Sequence, residues 1–169
     1  MKILRHVRGA FNRFLQVLAL YAPGGRSVKP FLHRLRGVRM GKDVWVGTDC
    51  LLETMRPDLL SIGNNVVIGI RCVMIAHFRD IGAAKRAADL PTITIEDDVY
   101  IGPGVIILPN VRIGHGAVIT AGSTVHSSVR PLTMVRGNPA LPVATCGIPL
   151  VRTSYKNFLR HVRPITGSH

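Results

Sequence analysis

From residue 40 to residue 130 the apolar positions keep a period of six. Aliphatic residues at Ile95, Ile101, Ile107, Ile113, Ile119 and Val125 follow one another without a gap. The fifth position of each repeat is apolar or small (Val99, Val105, Val111, Ala117, Ser123, Val129), and the second is often glycine, as in Ile101-Gly102 and Ile113-Gly114. Ile62, Ile68 and Met74 form a second block in step, and Met40, Val46 and Leu52 a third. The phase slips twice, by four residues around "TMRPD" (Thr54 to Asp58) and by fifteen after Met74. A period of six fits neither the 3.6 of a helix nor the 2 of a strand. It fits a parallel β-helix, in which each hexad is one short strand and a turn, and three hexads close a triangular coil. Position one points inward and stacks on its copies in neighbouring coils, so stability adds up between neighbours. Glycine at position two is expected to turn each corner without a Cβ clash. The pattern predicts an all-β fold of about four coils, 40–61, 62–79, 95–112 and 113–130, with one protruding loop at about 80–94.

Outside residues 40–140 the pattern changes. In "MKILRHVRGAFNRFLQVLALYA" the residues Leu4, Val7, Phe11, Phe14, Leu15 and Leu18 recur at helical spacing, with Lys2, Arg5, Arg8 and Arg13 largely on the other side. The tail repeats the style, with Tyr155, Phe158, Leu159 and Val162 against Lys156, Arg160 and Arg163. Residues 1–39 and 141–169 therefore read as basic extensions carrying short helices on either side of the 40–140 domain. Two roles are open for such helices. They can cap the ends of the β-helix with the apolar side inward, which is the favoured expectation, or lie on an anionic membrane surface. The apolar run "FLQVLALYA" is far shorter than the ~20 residues of a spanning helix, and reads only weakly as a signal peptide.

Charge sharpens this division. The net charge is +13, yet residues 40–150 hold nine basic and nine acidic residues. The whole excess sits in residues 1–39, with nine Lys/Arg and no acid, and in 151–169, with four and no acid. A nucleic-acid groove across the body is therefore not expected, whereas flanks that touch something anionic are. Cys50, Cys72 and Cys146 show no CxxC pairing, so reduced thiols and a cytoplasmic setting are expected.

The coil pattern, "ITAGSTV" (Ile119 to Val125) and "VRGNPA" (Val135 to Ala140) together resemble the hexapeptide-repeat acyltransferases, over residues 62–140. That family includes galactoside, maltose and xenobiotic acetyltransferases. The resemblance implies a left-handed β-helix, against the usual right-handed crossover. It also implies a homotrimer and acetyl-CoA as donor, bound between neighbouring subunits. The Asp-x-His-Pro type of motif of the related serine acetyltransferases is absent.

Perfect coils only stack, so chemistry is expected where the coil breaks. His77, in "MIAHFRD", stands at the start of the fifteen-residue excursion. In the resembling enzymes the catalytic histidine lies at this point. An imidazole suits the task, because a hydroxyl attacking a thioester must lose its proton and the thioester needs no further activation. Gly102, Pro103, Gly104, Ala121 and Gly122 offer a bare corner for pantetheine. Arg136 is a candidate for the CoA phosphates, next to Asn138 in the closing motif. Asp49 and Glu53 fall near the acceptor positions of the sugar enzymes. His115 reads as a turn residue, and Ser127 stands after His126 where the family carries a lysine. The spacing of His77, His115 and His126 does not match the zinc-binding branch of the fold, and no metal is expected. The expected function is O-acylation, most simply O-acetylation, of a sugar hydroxyl in a polysaccharide or lipid-linked precursor. The alternatives are N-acylation of an amino sugar or antibiotic, a zinc carbonic anhydrase, and a non-catalytic β-helix scaffold.

Overall fold

The computed structural model describes residues 2–77 and 92–165, with side chains from residue 7 onward. The expected loop at about 80–94 lies outside the described residues as far as residue 91. Three sheets of very short parallel strands form the body. One sheet holds Arg39–Met40 (β1), Leu60–Ile62 (β4), Ile93–Ile95 (β7) and Val111–Ile113 (β10). The second holds Trp45–Val46 (β2), Val67–Ile68 (β5), Tyr100–Ile101 (β8) and Val118–Ile119 (β11). It is extended by Thr133–Arg136 (β13), Leu141–Cys146 (β14) and Val162–Pro164 (β15). The third holds Leu51–Leu52 (β3), Val73–Met74 (β6), Ile106–Ile107 (β9) and Thr124–Val125 (β12). Consecutive strands visit the three sheets in turn, which is the path of a parallel β-helix.

Register reproduces the phase of the repeat. Met40 pairs with Ile62, Ile62 with Ile95, and Ile95 with Ile113. The same insertions separate Leu52, Met74, Ile107 and Val125 on the third sheet. Both slips are therefore accommodated outside the stacked rungs. The inward column of position-one residues is almost wholly buried, from Leu52 and Ile68 to Ile101, Ile107, Ile113 and Ile119. Apolar area removed from water along this column is the main stabilising term.

At the corners, glycine at position two spares a Cβ clash, as expected. The position-two glycines do not adopt the left-handed backbone; that conformation falls two residues later, at Asp43, Asn65, Asp98 and Gly116 on one edge and Asp49, Arg71, Gly104 and Gly122 on another. Position two is glycine because the next coil runs too close for a side chain. A Cβ on Gly69 would stand 2.5 Å from the backbone N of Pro103, and one on Gly102 2.6 Å from that of Ala121.

Two helices, Lys2–Tyr21 (α1) and Val28–Arg36 (α2), cover the N-terminal end. They do cap it, but with the opposite side of α1 inward. In the second coil the carbonyls of Ile62, Cys72 and Met74 accept from Gly41, Leu51 and Glu53 of the first. The matching first-coil carbonyls have no earlier coil. Gln16 donates to Cys50 O (3.0 Å), Arg36 to Leu52 O (3.2 Å) and Arg34 to Met40 O (3.1 Å). A row of open carbonyls needs donors, so α1 turns Gln16 inward, with Asn12, Leu15 and Ala19 buried beside it. Val7, Phe11, Phe14, Leu18 and Tyr21 are left outside, Phe14 at 60% exposure and Tyr21 at 76%.

The C-terminal extension is mostly strand. β14 returns antiparallel to β13 and β15 antiparallel to β14, so Val162 belongs to a strand and not to the expected helix. The helix is short, Tyr155–Arg160 (α3), capped by Ser154 and anchored by the fully buried Phe158. The three cysteines are free and buried.

Candidate active site

His77 lies three residues past β6, where the stacked coil ends, with its side chain 27% exposed. Its Nδ1 is 2.8 Å from the carboxylate of Glu53, and that side chain is 1% exposed. Glu53 follows Leu52, which pairs with Met74, so the register sets its side chain beside Ala76 and His77. The carboxylate also accepts from the backbone N–H groups of Met55 (2.8 Å), Arg56 (3.0 Å) and Ala76 (2.8 Å). Burial alone would raise its pKa, but these donors, led by Arg56 N–H and His77, more than offset it and hold the carboxyl below the ordinary glutamate value. An ionised carboxylate can only accept, so Nδ1 carries a proton, and in the neutral ring Nε2 is then the atom with the lone pair.

Arg36 lies behind Glu53. Its guanidinium reaches Leu52 O, Gln16 Oε1 and His33 Nδ1, and it is 1% exposed. Burial pulls it down to about 10 against the opposing pull of Glu53, so it stays charged at neutral pH. His33 beside it is pushed down to about 3 by burial, then by Arg36 and Lys29, and is neutral there. A cavity of about 930 Å³ opens in front of His77, lined among others by Arg8, Arg13, Arg36, Arg56 and Asp58.

The other expected site residues fall elsewhere. Gly102, Pro103, Gly104, Ala121 and Gly122 form one ridge where the second sheet turns into the third, with Gly122 N–H donating to Pro103 O (2.8 Å). A Cβ on Gly122 would meet nothing within 4 Å, so this corner is bare. Arg136 and Asn138 are exposed on the following turn, and Gly137 N–H between them donates to Ser123 Oγ (3.1 Å). Arg136 also borders a second groove of about 580 Å³, with Tyr100, Met134 and Tyr155. Asp49 does not line the cavity at His77; it stands on the ridge turn of Gly104 and Gly122, 3.9 Å from Arg71. His115 is exposed in its turn, 3.7 Å from the buried Asp98, which also binds Arg152 (2.7 Å) and Asn65 (2.6 Å).

Sequence reasoning placed Glu53 at the acceptor and missed it as the partner of His77. It also missed Arg71, a cation on the bare ridge. The available signals were a glutamate at a position-two site and an arginine at the left-handed corner position. Among the described residues no group of three or more His, Cys, Asp or Glu could hold a metal ion. No helix among them is long and apolar enough to cross a membrane.

Residues 92–127 match the family model described as bacterial transferase hexapeptide (six repeats). A Schizosaccharomyces pombe protein to which acetyltransferase activity is assigned by inference is 37% identical over 63% of this chain, which spans only 52% of that relative's length. In structure, a hexapeptide-repeat acetyltransferase of Vibrio cholerae complexed with acetyl coenzyme A superposes with a TM-score of 0.63 at 21% identity, covering 83% of this chain and 87% of its own. A maltose O-acetyltransferase of Clostridium difficile gives 0.58 at 21% identity, with 84% and 88% covered. A six-residue repeat that stacks rung on rung, with residues 92–127 matched by that family's model, makes this chain similar to the bacterial transferase hexapeptide proteins.

Proposed function

We propose that the protein is an acetyl-CoA-dependent O-acetyltransferase acting on a sugar hydroxyl, with His77 as the general base. The observation that carries this reading is the Glu53–His77 pair at the mouth of a cavity. A substrate hydroxyl gives its proton to His77 Nε2 as its oxygen attacks the thioester carbonyl. The imidazolium formed is stabilised by the carboxylate behind it, which also fixes the ring. Loss of the CoA thiolate from the tetrahedral intermediate completes the transfer, and the proton on His77 returns to the thiolate. Glu53 is a positioning residue in this reading and makes no acceptor contact.

The winding is read as left-handed and the assembly as a homotrimer, as in the resembling enzymes. The outward positions of the third sheet support self-association, because Leu51, Val73 and Ile106 stack in register and Leu51 and Ile106 are exposed. A neighbour laid along this sheet would give the bare ridge a second wall for the pantetheine arm. The basic, outward-apolar α1 supports a second reading, peripheral attachment to an anionic membrane.

The test is CoA release against a panel of sugars. His77→Ala should lower kcat by about 10²–10⁴ while acetyl-CoA still binds. Turnover near that of the unmodified protein would remove His77 as the base.

A further inference from the structure

The cavity in front of His77 is more basic than acylation of a neutral sugar requires. Four arginines line it, two from α1 (Arg8, Arg13), one from α2 (Arg36) and one from the 54–58 insertion (Arg56). Among the described residues the negative charges in its wall and behind it are already committed. Asp58 pairs with Arg56 at 2.7 Å, and Glu53 is turned to His77 and three backbone N–H groups. Among the described residues Arg8 and Arg13 have no ion-pair or hydrogen-bond partner, although both are exposed along the cavity wall. Arg36 fixes a further positive charge into that wall, and its buried Nε has no hydrogen-bond partner among the described residues. Like charges gathered around a concavity cost free energy unless an anion fills it.

We propose that the acceptor whose hydroxyl meets His77 carries an anionic group, a phosphate or a carboxylate, held by Arg8 and Arg13. This rests on the general-base reading of His77. At about 930 Å³ the cavity has room for a sugar together with such a group. Guanidinium groups suit it because they bind oxyanions in a bidentate manner and stay charged at any working pH. The residues proposed for the CoA donor, from Gly102 to Gly122 and at Arg136, line none of this cavity, so donor and acceptor charge are held apart. The anion can come from a soluble sugar phosphate or from a lipid-linked head group, and both present the same chemistry to the two arginines.

Inorganic pyrophosphate is the probe. It is titrated into the full chain while the His77 ring is followed by histidine-selective NMR, with His77→Gln giving the assignment. Saturable sub-millimolar binding is expected. The double variant Arg8→Gln/Arg13→Gln should weaken it about tenfold or more, while Arg8→Lys/Arg13→Lys, which keeps the charge, should retain most of it. Displacement of pyrophosphate by monomeric dihexanoyl phosphatidylglycerol, which forms no bilayer for α1 to lie on, assigns the group to a lipid head group; no displacement assigns it to a soluble anion. An absent shift, equal binding by the Gln variant, or displacement by coenzyme A overturns the proposal. If pyrophosphate fails to bind while His77→Ala still abolishes acetyl transfer, the base stands and the anion site falls. If pyrophosphate binds but His77→Ala is fully active, the base falls instead, and the acceptor assignment with it.

Discussion

Glu53 and His77 are 24 residues apart and touch at 2.8 Å, because the pairing of Leu52 with Met74 brings one coil's exit under the next. The carboxylate is buried and held below its ordinary value of 4.5 by its donors. A carboxyl with a depressed folded pKa contributes stability that is fully present above the unfolded value and is lost as pH falls through the folded one. The window therefore opens near pH 4.5 and extends downward.

Glu53→Gln should remove this share of the acid-side loss. At neutral pH it should also cost about 1–3 kcal/mol, because its NH₂ would face donors where the carboxylate accepted. Urea unfolding at about pH 7, 4 and 3 measures both effects. Asp58 and Asp98 are shifted in the same direction, so the difference between variant and parent is the readout. A Gln variant that loses stability with acid as steeply as the parent would refute the assignment.

The glycines separate two kinds of constraint. Gly69→Ala places a Cβ 2.5 Å from Pro103 N, against backbone that cannot yield cheaply. A loss of about 1–3 kcal/mol is expected. Gly9→Ala in α1 meets nothing within 4 Å and should stabilise by about 0.5–1 kcal/mol through helix propensity. Thermal unfolding of the two variants should move in opposite directions. A neutral Gly69→Ala would mean that the coils are not this close.

What the sequence revealed and what it concealed divide along physical lines. The column from Met40 to Val125 was legible because every coil poses the same packing problem, so the answer repeats along the chain. His77 was legible as the residue at which that repetition stops. Its pairing with Glu53 was not, since Glu53 stands where a glycine would normally turn and its contact depends on register across an insertion. The direction in which α1 faces was hidden for another reason. A helical wheel shows two faces but not what the cap must cover, and here the covered surface is a row of carbonyls that calls for Gln16 and Arg36.

The third sheet makes the assembly testable. Ile106 points outward between Val73 and Thr124 and is exposed. Ile106→Lys leaves the inward column untouched, so the fold should persist. In a trimer joined through this face, three buried lysines would meet without partners and the assembly should dissociate. Light scattering with size-exclusion chromatography reads the mass. A parent protein that is an active monomer at working concentration, or a variant that stays trimeric, would exclude this interface.

The last prediction concerns α1. At 100° per residue, Val7, Phe11, Phe14, Leu18 and Tyr21 share one stripe, and Arg8 and Arg13 flank it on either side. All seven residues are exposed, and their inward neighbours are fixed by the carbonyls of the first coil. A second copy of the chain fits this stripe poorly, since residues 1–39 carry nine basic residues and no acid to pair with. An anionic bilayer suits both features, taking the aromatic side chains into its interface while each arginine adds about 1 kcal/mol near the surface. The protein should float with phosphatidylglycerol vesicles at low salt, and less so at high salt or with phosphatidylcholine. Phe11→Ser/Phe14→Ser should abolish flotation without lowering the unfolding temperature, because neither ring packs on the core. If the parent protein stays in the soluble fraction with phosphatidylglycerol at both salt concentrations, α1 is a cap and nothing more.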